Sequence, residues 1–319
     1  MTWIYLTSGL ILGWSLGAND AANLFGTAVA TKMLRFRTAA VVGSVFVVLG
    51  AVAGAQGTSR TLGRLGAIDA PAGAFMVALA AALAVLFLLT RSGLPVSITQ
   101  AIVGAIVGWN VFTGRPTDLK TLGQLMSSWF LSPLLSALIA AALFTLTRAG
   151  MRRLKLHLLE ADALTRGGLV AAGAFGAFSL GQNDIANVMG VFVRVSPFPE
   201  STRFGPFSAT SVEMLFLLGG VAIAVGICTY SHRVMLRLGS GLTSLSPLGA
   251  LIVVLAAATV LFVFGSPELQ RLVKACHLPG WPLLPVSATQ AVVGAILGIS
   301  VVRRSGIRPK VLGQIALGW

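Results

Sequence analysis

Acidic residues are scarce in this sequence. A chain of 319 residues holds nine Asp and Glu against 23 Lys and Arg, and the four charged types make up only 10%. A soluble domain carries about 25% charged residues, so this chain lacks the polar surface to face water all round. Cysteine is scarcer still. Cys228 lies in an apolar segment and Cys276 in a polar connection, which argues against a disulfide framework. His157, His232 and His277 all fall in connections and show no metal-ligand spacing. The sequence has no GxxxxGK[ST] loop, no HExxH and no nucleophile–base pair, which speaks against a pump or an enzyme. A basic n-region and a cleavage site are also missing at the start, so Thr2–Leu16 reads as a retained membrane segment. No stretch alternates as barrel strands do.

What the chain has in quantity is apolar sequence, 56% of it. Ala72–Thr90, Ala209–Tyr230 and Leu248–Gly265 are long enough to cross a bilayer, which takes roughly 20 residues per helix. The expected fold class is an all-α polytopic membrane protein, multi-pass, in the plasma (cytoplasmic) membrane. The net charge of +14 sits between the apolar segments, at Lys32, Arg35 and Arg37, at Arg60 and Arg64, along Arg148–Arg166, and at Arg303, Arg304, Arg308 and Lys310. That pattern fits the positive-inside bias and lipid headgroups. It forms no stripe for a nucleic acid, and part of it can draw anions toward the protein.

The sequence is written twice. LPVSITQAIVGAIVG at Leu94–Gly108 returns as LPVSATQAVVGAILG at Leu284–Gly298, identical at twelve of fifteen positions and offset by 190. GANDAAN at Gly17–Asn23 returns as GQNDIAN at Gly181–Asn187, identical at five of seven and offset by 164. VALAAALAVLF from Val77 resembles VVLAAATVLFV from Val253, offset by 176. The added length in the second copy falls in Arg194–Pro206 and Pro267–Pro282, polar stretches where insertion is tolerated. Motifs kept in one order at consistent offsets mark an internal duplication. The expected division is a first repeat over 1–149, a basic linker over 150–166 facing the cytoplasm, and a second repeat over 167–319. KTLGQLMSSW at Lys120–Trp129 matches KVLGQIALGW at Lys310–Trp319. The first copy then continues through a helix with no counterpart, so the final helix is expected to be cut short.

Six of the nine acids lie in connections; Asp20, Asp184 and Glu213 lie in apolar segments. An ionised carboxylate in hydrocarbon costs a few kcal/mol and faces a cavity or a partner. Asp20 stands between Asn19 and Asn23, and Asp184 between Asn183 and Asn187. The spacing N-D-x-x-N sets the outer asparagines four apart on one helical face. Carboxylate and amide oxygens are hard ligands that suit an alkali cation. Gly17 and Gly181 are expected to loosen the helix and free carbonyls for the same ion. The alternative is that these side chains only bond neighbouring helices. Glu213 has no counterpart and reads equally as a helix-end residue.

Pro95 and Pro285 favour a helix start just after them. Ser97, Thr99, Ser287 and Thr289 then sit at helix N-termini, where free N–H groups and the positive dipole end receive anions. The apolar stretches that follow, Ala101–Phe112 and Ala291–Val302, are too short to span alone. They fit half-helices of re-entrant hairpins, allowed at that depth only where they line a protein cavity. The other reading is that the hydroxyls cap ordinary helices. Two units of opposite orientation bring two half-helix N-termini to one site near the midplane, the plan of an inverted-repeat transporter.

At these motifs the sequence resembles the inorganic phosphate transporter (PiT) family, which carries a GAND-type signature in each half and a Pro-(Val/Ile)-Ser stretch before a Gly-rich half-helix. The resemblance covers nearly the whole chain. It implies an inverted-repeat fold with two re-entrant hairpins and symport of inorganic phosphate with Na⁺ or H⁺, with no other cofactor. It places cation ligands at Asn19, Asp20, Asn183 and Asp184, with Asn23 and Asn187 nearby, and Na⁺ at Asp20 and Asp184. It places anion contacts at Ser97, Thr99, Ser287 and Thr289. Gln100 and Gln290 join the candidate anion-binding set, standing where the family often has His; Gln donates to an oxyanion but does not titrate. Val42–Val52 lacks an acid that many members have. Sulfate or another tetrahedral oxyanion is the alternative substrate, and an anion channel the alternative from another class. The expected partners are phosphate or sulfate and membrane lipid, with no nucleic acid; the sequence is compatible with a homo-oligomer.

Overall fold

A computed structural model gives the architecture and describes residues 2–54, 56–66, 68–92, 96–154, 157–204, 207–238, 245–304 and 313. Pro95 and all of the Lys310–Trp319 stretch except Gly313, on which the first half-helix start and the shortened final helix are expected, lie outside the described residues.

In chain order the helices of the first half are α1 (Leu6–Ala30), α2 (Phe36–Gly54), α3 (Gln56–Leu65), α4 (Pro71–Ser92), α5 (Ile98–Thr113) and α6 (Leu119–Leu154). The second half holds α7 (Leu158–Met189), a hairpin of β1 (Ser201–Phe204) and β2 (Phe207–Thr210), α8 (Ser211–Thr229), α9 (Ser231–Leu238), α10 (Pro247–Gly265), α11 (Pro267–Ala275) and α12 (Ala288–Arg303). The hairpin pairs antiparallel, Ser201 opposite Thr210. β1 and α11 lie in the stretches where the second copy is longer. Most of the basic 150–166 stretch is helical, divided between the end of α6 and the start of α7.

Six helices among the described residues are long and apolar enough to cross a membrane: α2, α4, α6, α7, α8 and α10. Their outer faces carry large apolar side chains, among them Val45 and Leu49 on α2, Leu83 and Phe87 on α4, and Phe130 and Leu138 on α6. Side chains of this kind belong against lipid. The protein is a multi-pass integral membrane protein. α1 is different. It is polar at its centre and buried along most of its length, which places it inside the bundle. α5 and α12 have 16 residues each, about 24 Å at 1.5 Å per residue, less than the ~30 Å hydrocarbon core.

The matched helices α1 and α7 run antiparallel. Gly9 near the start of α1 meets Met189 at the end of α7, Leu24 meets Gly176, and Ala28 clusters with Leu169 near the start of α7. Each also packs on the other half's second spanning helix, α1 on α8 and α7 on α2. Both crossings are closed by glycine. A Cβ at Gly17 would overlap the carbonyl oxygen of Ile223, and one at Gly226 that of Trp14. A Cβ at Gly181 would overlap the carbonyl oxygen of Val47, and one at Gly50 that of Phe178. This corrects the expectation that Gly17 and Gly181 loosen their helices. α1 and α7 run unbroken through the motifs, and the glycines serve to let two backbones touch.

Candidate functional site

Asn19, Asp20 and Asn23 lie in mid-α1, and Asn183, Asp184 and Asn187 in α7; all six are buried. Ser97 is the N-cap of α5 and Ser287 the N-cap of α12. Each hydroxyl accepts from a backbone N–H in the first turn, Gln100 N to Ser97 Oγ and Gln290 N to Ser287 Oγ, both at 3.3 Å. Helix starts just after the prolines were expected, and the starts are there. Pro285 itself stays outside the first turn, two residues ahead of the cap. The segment before the cap is held instead by Val286 N–H, which donates to Asn183 Oδ1 at 3.0 Å. The first copy repeats this bond: Val96 N–H donates to Asn19 Oδ1 at 3.3 Å. Asn19 Nδ2 donates back to Val96 O at 2.9 Å, and Asn183 Nδ2 to Leu284 O and Leu261 O at 3.4 Å. The first Asn of each motif therefore positions the helix start of its own half.

The last Asn of each motif crosses to the other half. Asn187 Nδ2 donates to Thr99 Oγ1 at 2.9 Å, and Asn23 Nδ2 donates to Thr289 Oγ1 at 3.3 Å. Thr289 also donates toward Asp20 Oδ1 at 3.4 Å and Val96 O at 3.3 Å. These bonds join α1 to the start of α12 and α7 to the start of α5. All four repeated motifs meet in one buried cluster.

Asp20 Oδ1 accepts from Asn19 and Asn23 at 2.8 and 2.9 Å. Asp184 Oδ1 accepts from Asn187 at 2.8 Å, while Asp184 Oδ2 has no partner among the described residues. Asn187 Oδ1, Gln100 Oε1, Gln182 Oε1 and Gln290 Oε1 are also buried without a partner. Buried polar atoms are nearly always satisfied, and Asp184 Oδ2 and Asn187 Oδ1, one helical turn apart, are oxygens that can accept a positive ligand. The amide N–H groups on the same glutamines and the backbone N–H groups at two helix starts can face an anion.

Glu213 takes no part. It sits in the first turn of α8, where its carboxylate accepts from Thr210 N at 2.8 Å and Glu213 N donates to Thr210 Oγ1 at 3.2 Å. This is a capping box, the helix-end reading. The repeated motifs alone do not point to Gln182 or to the carbonyls of Val96, Leu261 and Leu284. The signal for Gln182 was present: a polar side chain where the first copy has Ala18.

Residues 16–319 match the model of the phosphate transporter family. A candidate phosphate permease of Methanocaldococcus jannaschii is 28% identical over 305 residues, covering 95% of this chain and 87% of the relative. One from Haemophilus influenzae is 26% identical and covers 100% of this chain and 92% of the relative. A sodium-dependent phosphate transporter of Plasmodium falciparum is 32% identical over 168 residues, 49% of this chain and 25% of the relative. Among solved structures, one titled as the sodium-dependent phosphate transporter superposes with a TM-score of 0.76 at 24% identity, covering 100% of this chain and 94% of that one.

Proposed function

This chain belongs to the phosphate transporter family, and from that premise we propose that it is a symporter that couples entry of inorganic phosphate to Na⁺. It is a membrane transporter and not an enzyme. The observation that carries the coupling is a pair of open oxygens in the N-D-x-x-N motif of α7. Asp184 Oδ2 and Asn187 Oδ1 are buried, partnerless and one helical turn apart, and oxygen ligands of this hardness suit an alkali cation. Relatives named for sodium-dependent phosphate transport support the same ion. Proton coupling through the helix starts is disfavoured, because Gln100 and Gln290 do not titrate.

In this reading Asn19, Asp20, Asn23, Asn183, Asp184 and Asn187 hold the cation side. Ser97, Thr99, Gln100, Ser287, Thr289 and Gln290 hold the anion side. Ser97 and Ser287 accept backbone hydrogen bonds through Oγ, which leaves each O–H free to donate to an oxyanion. The cation bridges the two sets: with Na⁺ bound between the carboxylates and the threonines, the repulsion that an incoming phosphate meets from Asp20 and Asp184 is offset. Each solute then binds better in the presence of the other, which is what coupling requires.

The antiparallel course of α1 and α7, the exchanged Asn–Thr bonds and the short α5 and α12 support an inverted repeat with two re-entrant half-helices. The repeat units of that plan are residues 1–149 and 167–319. Sulfate is the competing substrate on the same cradle.

The deciding experiment is uptake of radiolabelled phosphate and sulfate into proteoliposomes, with Na⁺ and pH gradients imposed separately. Saturable phosphate uptake driven by Na⁺ alone is the expected result. Uptake that ignores both gradients and does not saturate is a channel's behaviour and overturns the proposal. Preference for sulfate reassigns the substrate.

A further inference from the structure

A cavity of about 460 Å³ lies between the two halves, at the end of α2, against α3, the first turn of α8 and α11. Its walls include Gly54, Arg60, Glu213, Glu268, Arg271 and Leu283. Both acids are engaged, Glu268 by Arg271 at 2.8 Å and Glu213 by the backbone of Thr210. Arg60 is exposed and enters no ion pair among the described residues.

The cavity ends close to the buried cluster. A Cβ at Gly54 would overlap the side-chain amide of Gln182, so one backbone width separates the cavity from that amide. Gln182 is only 2% exposed, its Oε1 has no partner, and it directly precedes Asn183 and Asp184. Leu283, in the cavity wall, is held by Thr61 Oγ1, which donates to Leu283 O at 2.7 Å. The next residue, Leu284, accepts from Asn183. The first copy has Ala18 where the second has Gln182, so the side chain beneath this cavity is peculiar to the second copy.

The cavity opens on the side away from the basic turns. Arg166 Nη1 donates to Met33 O at 2.9 Å, which fixes the α1–α2 turn, with Lys32 and Arg35, beside the start of α7. α2 runs from that side to Gly54. Lys32, Arg35, Arg37 and the basic ends of α6 and α7 gather on that side and outnumber Arg60 and Arg64 at the cavity end of α2; the denser positive charge marks the cytoplasmic side, so the cavity faces outward.

We propose that this cavity is the outer entrance for the transported oxyanion, with Arg60 as its first cationic contact and Gln182 as the side chain that closes its floor. The inference rests on the transport reading above. A cationic side chain at the mouth of a cleft raises the local concentration of an anion. An amide at the floor can turn its N–H₂ toward an arriving oxyanion or its oxygen toward Na⁺.

The test uses the full chain with the exposed Cys228 and Cys276 replaced, as Cys228→Ala and Cys276→Ser, and with Arg60→Cys added. Proteoliposomes are treated with a sulfonate-bearing or a trimethylammonium-bearing methanethiosulfonate of similar size. The sulfonate is expected to lower phosphate uptake about tenfold and the trimethylammonium about threefold or less. Separately, Gln182→Ala is expected to leak phosphate without a cation gradient about threefold faster than wild type, and Gln182→Met, of similar volume, to stay closed. Uptake that survives complete sulfonate modification overturns the entrance, as does equal inhibition by both reagents. Absence of uptake by the unmodified wild type overturns the transport reading, and the entrance with it. If Gln182→Ala fails to fold, the thiol arm still decides.

Discussion

The two N-D-x-x-N motifs share a sequence pattern but not a hydrogen-bond pattern. Around Asp20, one carboxylate oxygen takes donors from Asn19, Asn23 and Thr289. Around Asp184, one oxygen takes Asn187 alone and the other takes nothing. The difference begins at the first Asn. Asn19 divides its amide between Asp20 and the α5 start, whereas Asn183 gives its amide to Leu261 O and Leu284 O and none of it to Asp184. The matched motifs occupy similar places in α1 and α7 but are bonded differently. The first motif is a latch in which three donors converge on one carboxylate oxygen of Asp20. The second keeps open oxygens, and an unpaired buried charge is costly, so under the proposed coupling it is the motif expected to depend more on a bound cation.

The largest expected effect breaks this comparison at the acids. Asp184→Asn is expected to reduce Na⁺-driven phosphate uptake to background, because the amide removes the charge at the oxygen that nothing else satisfies. Asp20→Asn also abolishes coupling, but its surroundings remain largely bonded, so the apparent Na⁺ affinity of any residual binding falls less. Hydrogen bonds to a charged group are worth about 1.5–3 kcal/mol each, which sets the scale for the difference. Titration of ²²Na⁺ binding to the two purified variants checks it. Equal loss in both would mean that the two motifs act as equivalents.

The glycine crossings sharpen the comparison from the other side, because there the copies match. Gly17→Ala and Gly181→Ala each drive a methyl group into a backbone carbonyl of the facing helix. Backbone cannot rotate away as a side chain can, so each helix pair must part. Overpacking costs about 1–3 kcal/mol, and the two variants are expected to lose thermal stability equally. Thermal unfolding in detergent reads this. A stable Gly181→Ala beside an unstable Gly17→Ala would show that the crossings have diverged as the acids have.

Much of this was legible from residues alone. The offsets of 164 and 190 identified which positions correspond. Ser after Pro, followed by an apolar stretch, located both helix starts. What offsets cannot say is which copy pairs with which. Asn23 meets Thr289 and not Thr99, and only the packing of α1 against the far half decides that. The expectation that Gly17 and Gly181 loosen their helices fails because a glycine beside a polar motif has two uses, flexibility and close approach, and local sequence does not separate them. Asp20 and Asp184 stand between matching asparagines in sequence, so their unequal bonding is not visible there. It depends on the carbonyls of Leu261 and Leu284, about 80 to 100 residues away.

A smaller effect is expected at the caps. Ser97→Ala with Ser287→Ala removes an N-cap from each helix start, about 1 kcal/mol apiece, and removes two hydroxyl donors from the anion side. Phosphate affinity is expected to fall more than about tenfold, which about 1.4 kcal/mol already produces. Competition binding in detergent measures it. Because the caps match in geometry, each single variant is expected to contribute about half. An unchanged dissociation constant in the double variant would reduce both serines to capping alone.

The smallest effect is expected at the threonines, where the crossed bonds differ in number. Thr99 Oγ1 accepts from Asn187. Thr289 accepts from Asn23 and sits against Asp20 and Val96 O as well. Valine keeps the branched shape and removes the hydroxyl. Thr99→Val leaves the Asn187 amide without its acceptor across the halves but with Asp184 still available. Thr289→Val leaves Asn23 with Asp20, yet strips Asp20 of its donor from the second half and separates α12 from the α5 start. A neutral hydrogen bond is worth about 1 kcal/mol and one to a charge about 1.5–3. Thr289→Val is therefore expected to weaken coupling several-fold more than Thr99→Val. The readout is the Na⁺ concentration for half-maximal phosphate uptake, measured for each variant and for the pair. If the double variant equals the sum of the singles in free energy, the two crossings act independently. A departure from the sum means that the latch around Asp20 and the open site around Asp184 respond to the same ion.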